Sequence, residues 1–305
     1  MIQAQALTKR FDSFTALNDI SCTIKDGCIY GMVGSNGAGK STFLRLIAGV
    51  YRPDGGRVTI DGIDVYDNPS VKSRMAYVPD ELYFLPGATV HRMIDLYRDA
   101  FPRFDANRCR DLIKAFRLDP SKQISTFSKG MKRQAATALA LALRSDYIFF
   151  DETFDGLDPV MRGYVKGLIC ADVMERGATA IITSHSLREL EDTCDQLALL
   201  HKGGLVLESD ITNLKTAQFK IQIAFADPYD RSRFEGLEGT DILHFTKHGS
   251  VSSMIVRGDR DRTVMHLSAM NPILLDVLPL SLEEVFTYEM EALGYSFDSE
   301  EGGIL

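Results

Sequence analysis

One stretch constrains this chain more than any other: Gly34-Ser35-Asn36-Gly37-Ala38-Gly39-Lys40-Ser41-Thr42, which fits the spacing G-x-x-x-x-G-K-[ST]. The run before it, Cys28-Ile29-Tyr30-Gly31-Met32-Val33, is apolar and strand-like. The run after it, Phe43-Leu44-Arg45-Leu46-Ile47-Ala48, carries apolar residues at helical spacing. Strand, glycine loop and helix together form the setting in which such a loop binds phosphate. Glycines let successive backbone N–H groups face one anion, and the helix start adds the positive end of its dipole. Lys40 can reach β- and γ-phosphates, and the Ser41 hydroxyl can ligate Mg²⁺.

The rest of the composition narrows the class. At 305 residues the chain has room for one large domain and a small one. A net charge of −8 and a pI near 5.3 argue against a nucleic-acid partner, which would leave a basic footprint. Five cysteines (Cys22, Cys28, Cys109, Cys170, Cys194) are scattered and never spaced as C-x-x-C, which favours reduced thiols over a disulfide frame or a zinc site. The segment Met1 to Ala6 lacks the basic and apolar regions of a secretory signal. The longest apolar run, Ala138 to Leu143, is too short to span a bilayer, so any membrane role is expected to come through a partner.

Taken in order, residues 1–30 read as antiparallel strands with a tight turn at Asp26-Gly27. Phe11 within them is either a core residue or an aromatic on which a base can stack. Val58, Ile60, Ile63 and Val65 suggest short strands around Asp61-Gly62, and Met75-Ala76-Tyr77-Val78-Pro79 another that ends at Asp80-Glu81. From Thr89 to about Leu143 the pattern turns helical. There Asp105 caps one helix, and Ser128 and Gly130 stand in the first turn of another whose small and apolar residues cover every side, the mark of a buried helix. Such a helix start suits either a plain serine cap or contact with an anion.

Tyr147-Ile148-Phe149-Phe150 is a short continuous apolar run, as in a strand buried on both faces of a parallel sheet. It ends in Asp151-Glu152, and ligands of open α/β sheets bind at such strand tips. Asp151 can hold Mg²⁺ through oxygen, and Glu152 can polarise a water against the γ-phosphate. Thr179-Ala180-Ile181-Ile182-Thr183-Ser184 repeats the design and leads to His185, which can contact the γ-phosphate or the attacking water.

In this order the motifs resemble the nucleotide-binding subunit of an ABC transporter over roughly residues 1–212. Phe127-Ser128-Lys129-Gly130-Met131 stands where that family carries Leu-Ser-Gly-Gly-Gln, and its Ser-Lys-Gly-Met form resembles exporter ATPases for antibiotics, peptides and lipids. The resemblance implies an α/β P-loop NTPase fold: a RecA-like core, an antiparallel β subdomain and a helical subdomain at about 87–145. It further implies ATP and Mg²⁺ as ligands, an adenine-stacking role for Phe11, and a D-loop at Gly156-Leu157-Asp158. Catalytic work would fall to Glu152 and His185, and Ser128 and Gly130 would meet the ATP of a second chain. The expected partners are a separately encoded transmembrane permease and a like or paralogous ATPase, and the expected location is the cytoplasmic face of the cell membrane. A soluble ABC ATPase outside transport is the alternative. Asp80 departs from the family, which has Gln there; Asp80 is expected as a Mg²⁺ ligand with Ser41 and Asp151, and as part of the catalytic set with Glu152 and His185.

Residues 213–305 read as a small C-terminal α/β accessory domain. Phe219, Ile221, Ile223 and Phe225 alternate, Ile242 to Val256 forms a hairpin around His248-Gly249, and Ile273 to Leu278 forms a strand. Ser281-Leu282-Glu283-Glu284 is a capping box opening a last helix, and the acidic tail from Asp298 to Ile304 is expected to be mobile. His244, His248 and His266 lack ligand spacing and read as surface residues.

Overall fold

The computed structural model describes residues 1–211, 218–237 and 239–292. The expected boundary near residue 212 and the acidic tail lie outside the described residues. The described residues fall into two compact units, one over Met1–Glu208 and one within 209–292.

The first unit opens with an antiparallel hairpin, β1 (Ile2–Phe11) and β2 (Phe14–Ile24). It continues into β3 (Ile29–Val33), the glycine loop and α1 (Lys40–Ile47). β4 (Gly55–Ile60) then pairs antiparallel with β1, and β5 (Ile63–Asp64) with β4, giving a sheet ordered β2-β1-β4-β5. The expected strands around Asp61-Gly62 are these two.

After α2 (Pro69–Lys72) comes β6 (Met75–Val78) and then three helices: α3 (Val90–Ala100), α4 (Ala106–Ala115) and α5 (Lys129–Ala142). Side chains cap each one: Thr89, Asp105 and Ser128 accept from the backbone amides of Arg92, Arg108 and Met131. β7 (Tyr147–Asp151), α6 (Pro159–Arg176), β8 (Thr179–Ser184), α7 (Leu187–Glu191), β9 (Gln196–His201) and β10 (Gly204–Asp210) complete the unit.

The second sheet runs β10-β9-β3-β8-β7-β6. β6, β7, β8, β3 and β9 are parallel neighbours in register, with Val78 beside Phe150, Asp151 beside Thr183, and Val33 beside both Ser184 and Leu199. β3, β7 and β8 are buried at every position, which explains their unbroken apolar sequences. Helix α1 lies in one core with both sheets: Phe43 and Leu44 pack with Leu7, Leu17, Met32 and Phe149. Parallel strands put all their C-terminal tips on one edge, and that edge carries the chemistry.

The second unit holds an antiparallel sheet ordered β12-β13-β11-β14, from β11 (Gln218–Ala224), β12 (Thr240–His248), β13 (Val251–Gly258) and β14 (Leu274–Leu278). Its core gathers Phe219, Ile221, Ile223, Phe234, Met254, Val256 and Leu267. Leu267 comes from α8 (Arg260–Ala269), a helix with too few apolar residues to show in the sequence pattern. The capping box forms at the head of α9 (Leu282–Ala292): Ser281 and Glu284 each accept from the other's backbone amide.

Candidate functional site: a P-loop at the tips of the parallel strands

The glycine loop turns at the end of β3 and delivers Lys40 into the first turn of α1. Gly39, the residue before the helix, has φ +106°. A Cβ there would meet the Ala16 carbonyl at 2.7 Å, so both the left-handed backbone and the packing demand glycine. Gly34, Ser35, Asn36, Gly37 and Ala38 form the loop, and Ser41 and Thr42 follow Lys40 in the helix. The Lys40 side chain is only 6% exposed. Its Nζ donates to the carbonyls of Gly34 (2.7 Å) and Ser35 (3.2 Å) and lies 3.2 Å from Glu152 Oε1.

The tip of β7 meets this loop. Ser41 Oγ donates to Asp151 Oδ1 at 2.9 Å, and Thr183 Oγ1 donates to the same oxygen at 2.8 Å. Tyr77 OH donates to Asp151 Oδ2 at 3.2 Å. Burial, reinforced by the Asp151 charge, raises the Tyr77 pKa, so its hydroxyl remains a donor. Asp151 is fully buried, and these three hydroxyls satisfy it. Glu152 follows at φ +48°, a left-handed conformation that a β-carbon disfavours. Its amide donates to Thr183 Oγ1 at 3.1 Å. Strain of this kind concentrates at functional sites. His185 Nδ1 lies 3.1 Å from Glu152 Oε2.

Lys40, Ser41, Asp151, Glu152 and His185, all singled out in the sequence, therefore lie together at one sheet edge. Asp80 does not join them. Its carboxylate accepts from Arg133 Nη2 at 2.9 Å, while Arg133 Nη1 donates to the Pro79 carbonyl at 2.8 Å. The expected grouping of Asp80 with Ser41 and Asp151 gives way to an ion pair with a guanidinium on α5. Arg133, only 1% exposed, needs an anion, and Asp80 supplies the carboxylate that pairs with it directly, with the Asp155 charge also acting on it from the loop after β7.

Ser128 and Gly130 stand at the head of α5. Ser128 is the helix cap, and a Cβ on Gly130 would meet the Gly156 carbonyl at 2.6 Å. Phe11, at the end of β1, is 40% exposed and makes an edge contact with Tyr51 at 5.5 Å between ring centres. It is not a core residue.

Sequence reasoning missed Tyr77, Thr183 and Arg133. Tyr77 and Thr183 lie on strands read only as apolar runs, and Arg133 on a helix read as buried. Nothing local marks which face each presents. It also missed two ties between elements: Lys129 at the head of α5 with Asp155 in the loop after β7, and Arg162 on α6 with Glu189 on α7, which in turn accepts from Ser184 Oγ.

A glycine loop heading a helix, with a carboxylate pair on the strand tip beside it, defines a P-loop nucleotide-binding ATPase. A family model described as ABC transporter matches residues 17–155. The ABC transporter ATP-binding protein YtrB of Bacillus subtilis is 32% identical over 94% of this chain and 97% of its own length. The lipopolysaccharide export system ATP-binding protein LptB of Haemophilus influenzae is 29% identical over 68% of this chain and 89% of its own. A solved ATP-binding subunit of an ABC transporter superposes with a TM-score of 0.65 at 26% identity, over 70% of this chain and 91% of that one. The chain belongs to the ABC transporter ATP-binding proteins. It is an ATP-binding and ATP-hydrolysing subunit that drives a transporter. Among the described residues no helix is long and apolar enough to cross a membrane.

Proposed function

We propose that this chain powers export through a separately encoded permease, at the cytoplasmic face of the cell membrane, as one of two ATPase chains that close head to tail over ATP. The observation that carries the reading is the convergence of Lys40, Ser41, Asp151, Glu152 and His185 on one sheet edge. The Ser-Lys-Gly-Met run at Ser128–Met131 and the likeness to a relative named for export support the direction.

In this reading Lys40 and the loop amides hold the β- and γ-phosphates. Glu152 accepts a proton from the attacking water, and His185, hydrogen-bonded to it, keeps that carboxylate oriented. Ser41 and Asp151 present hard oxygens side by side, a donor pair that suits Mg²⁺. Among the described residues no three His, Cys, Asp or Glu side chains cluster as a metal cage, so phosphate oxygens and water would fill the other positions. When bound, Mg²⁺ neutralises charge that builds on the phosphates. Ser128 and Gly130 serve the nucleotide of the second chain. Co-expression with candidate multi-span permeases tests the assignment: a stable complex with raised ATPase activity is expected from one of them, and a set of permeases that neither bind the chain nor alter its turnover would overturn it.

Two further outcomes are expected. Phe11→Ala should weaken ATP binding roughly tenfold or more while Phe11→Tyr should not, because base–aromatic stacking is worth about 1–3 kcal/mol. Titration with a fluorescent ATP analogue checks it, and equal affinities would remove Phe11 from the site. Tyr77→Phe should raise the Mg²⁺ concentration for half-maximal ATPase about tenfold, since hydroxyls that orient a metal-binding carboxylate carry effects of this size. An unchanged Mg²⁺ midpoint would make the Tyr77–Asp151 bond incidental.

A further inference from the structure

Arg133 is the least expected charge in the ATPase unit. It sits on α5, five positions beyond the Ser128 cap, and is 1% exposed. Its planar fork spans the Pro79 carbonyl and the Asp80 carboxylate, at 2.8 and 2.9 Å, and its Nε has no hydrogen-bond partner among the described residues. Asp80, by contrast, is 45% exposed. A buried guanidinium stripped of its anion is strongly destabilising, so α5 and the segment after β6 must stay together or move together.

Both ends of this contact lead to the ATP chemistry. Val78, two residues before Asp80, is in register with Phe150, the residue before Asp151. From Arg133 a continuous stretch of helix runs back to the Ser128 cap, about 7.5 Å along the axis. Asp151, the β7–β6 pairing, Asp80, Arg133 and Ser128 thus form one unbroken mechanical series.

We propose that Asp80 and Arg133 are positioning residues: their ion pair fixes the head of α5, and with it Ser128, to the strand tip beside the metal-binding carboxylate of the same chain. The proposal rests on the reading of Ser128 as a contact for the second chain's nucleotide. On that reading the pair carries information about one ATP site to the other. Asp80 acts through Arg133 and holds no metal itself. The departure from the family's Gln at this position is then matched by a cation placed to receive it.

A double-mutant cycle on the full chain tests this, with Asp80→Asn, Arg133→Gln and the two combined. Each single variant is expected to lower turnover about tenfold while leaving the affinity for a fluorescent ATP analogue within twofold of wild type. The double variant, which removes the same single ion pair as each single, is expected to lose no more than the worse single. Losses that multiply, near a hundredfold, would overturn the proposal, as would wild-type turnover in both singles. The Mg²⁺ midpoint is a second readout: it stays put in Asp80→Asn if the residue positions α5, and a rise there with none in Arg133→Gln would make Asp80 a metal ligand and refute the proposal. Hydrogen exchange at Lys129–Lys132 is a third, free of catalysis. It should quicken in both singles, and unchanged exchange would also count against the tie. Arg133→Lys keeps the buried charge without the fork, and it should reproduce the faster exchange in a folded protein. If the wild-type chain shows no ATPase activity, the catalytic reading fails, and exchange alone decides the proposal.

Discussion

Glu152→Gln is expected to bind ATP as tightly as the wild-type chain and to hydrolyse it about 10²–10⁴-fold more slowly, the usual contribution of a general base. The amide keeps the shape of the carboxylate and a carbonyl oxygen for Lys40 to reach, but it cannot take the proton of the attacking water. Lys40, Ser41 and Asp151 are untouched, so binding should survive. Binding without turnover should accumulate the closed pair of chains, visible by light scattering as an ATP-dependent doubling of mass that the wild type shows only transiently. Ser128→Arg in the same background should abolish the doubling, because a long side chain at the head of α5 would stand where the second chain's phosphate must approach. Hydrolysis at the wild-type rate would leave the base unassigned. A variant that binds ATP and stays monomeric, alone and with its permease, would refute the paired arrangement.

Lys40→Ala is expected to reduce ATP affinity by roughly 10²-fold or more, since a hydrogen bond to a charged group contributes about 1.5–3 kcal/mol before longer-range attraction is counted. Lys40 is the cation at the mouth of the loop, held at 2.7 Å from the Gly34 carbonyl so that its ammonium is already aimed. The alanine variant also leaves Glu152 without the ammonium 3.2 Å away. Calorimetry with ATP measures the loss. Affinity within twofold of wild type would sink the loop as a phosphate site. A matched melting curve separates this from unfolding, because the helix keeps its glycine start and its apolar face.

Much of this site is legible in sequence because its parts are local. The loop from Gly34 to Thr42 needs its glycines, lysine and serine in fixed order, and β7 and β8 announce themselves as apolar runs with polar tips. The C-terminal hairpin and the capping box at Ser281–Glu284 are likewise short-range patterns. What sequence reasoning could not supply is pairing across the sheet and between its layers. Thr183 joins Asp151 because β8 lies beside β7, and Tyr77 does so because β6 lies on the other side. Asp80 illustrates the limit most clearly. Its side chain has the oxygen of a metal ligand, and its place in the motif order, where the family carries Gln, suggested the role. An arginine fifty-three positions away in the chain claims it instead. α8 escaped notice for a different reason: a helix that buries only Thr263 and Leu267 leaves almost no periodic signal.

In the structure the ammonium of Lys40 leans on Glu152, whose other oxygen faces His185. On the proposed reading, a triphosphate that takes up Lys40 would compete with that carboxylate for it and leave Glu152 to His185 and the attacking water. Seating the fuel and arming the base would then be one event.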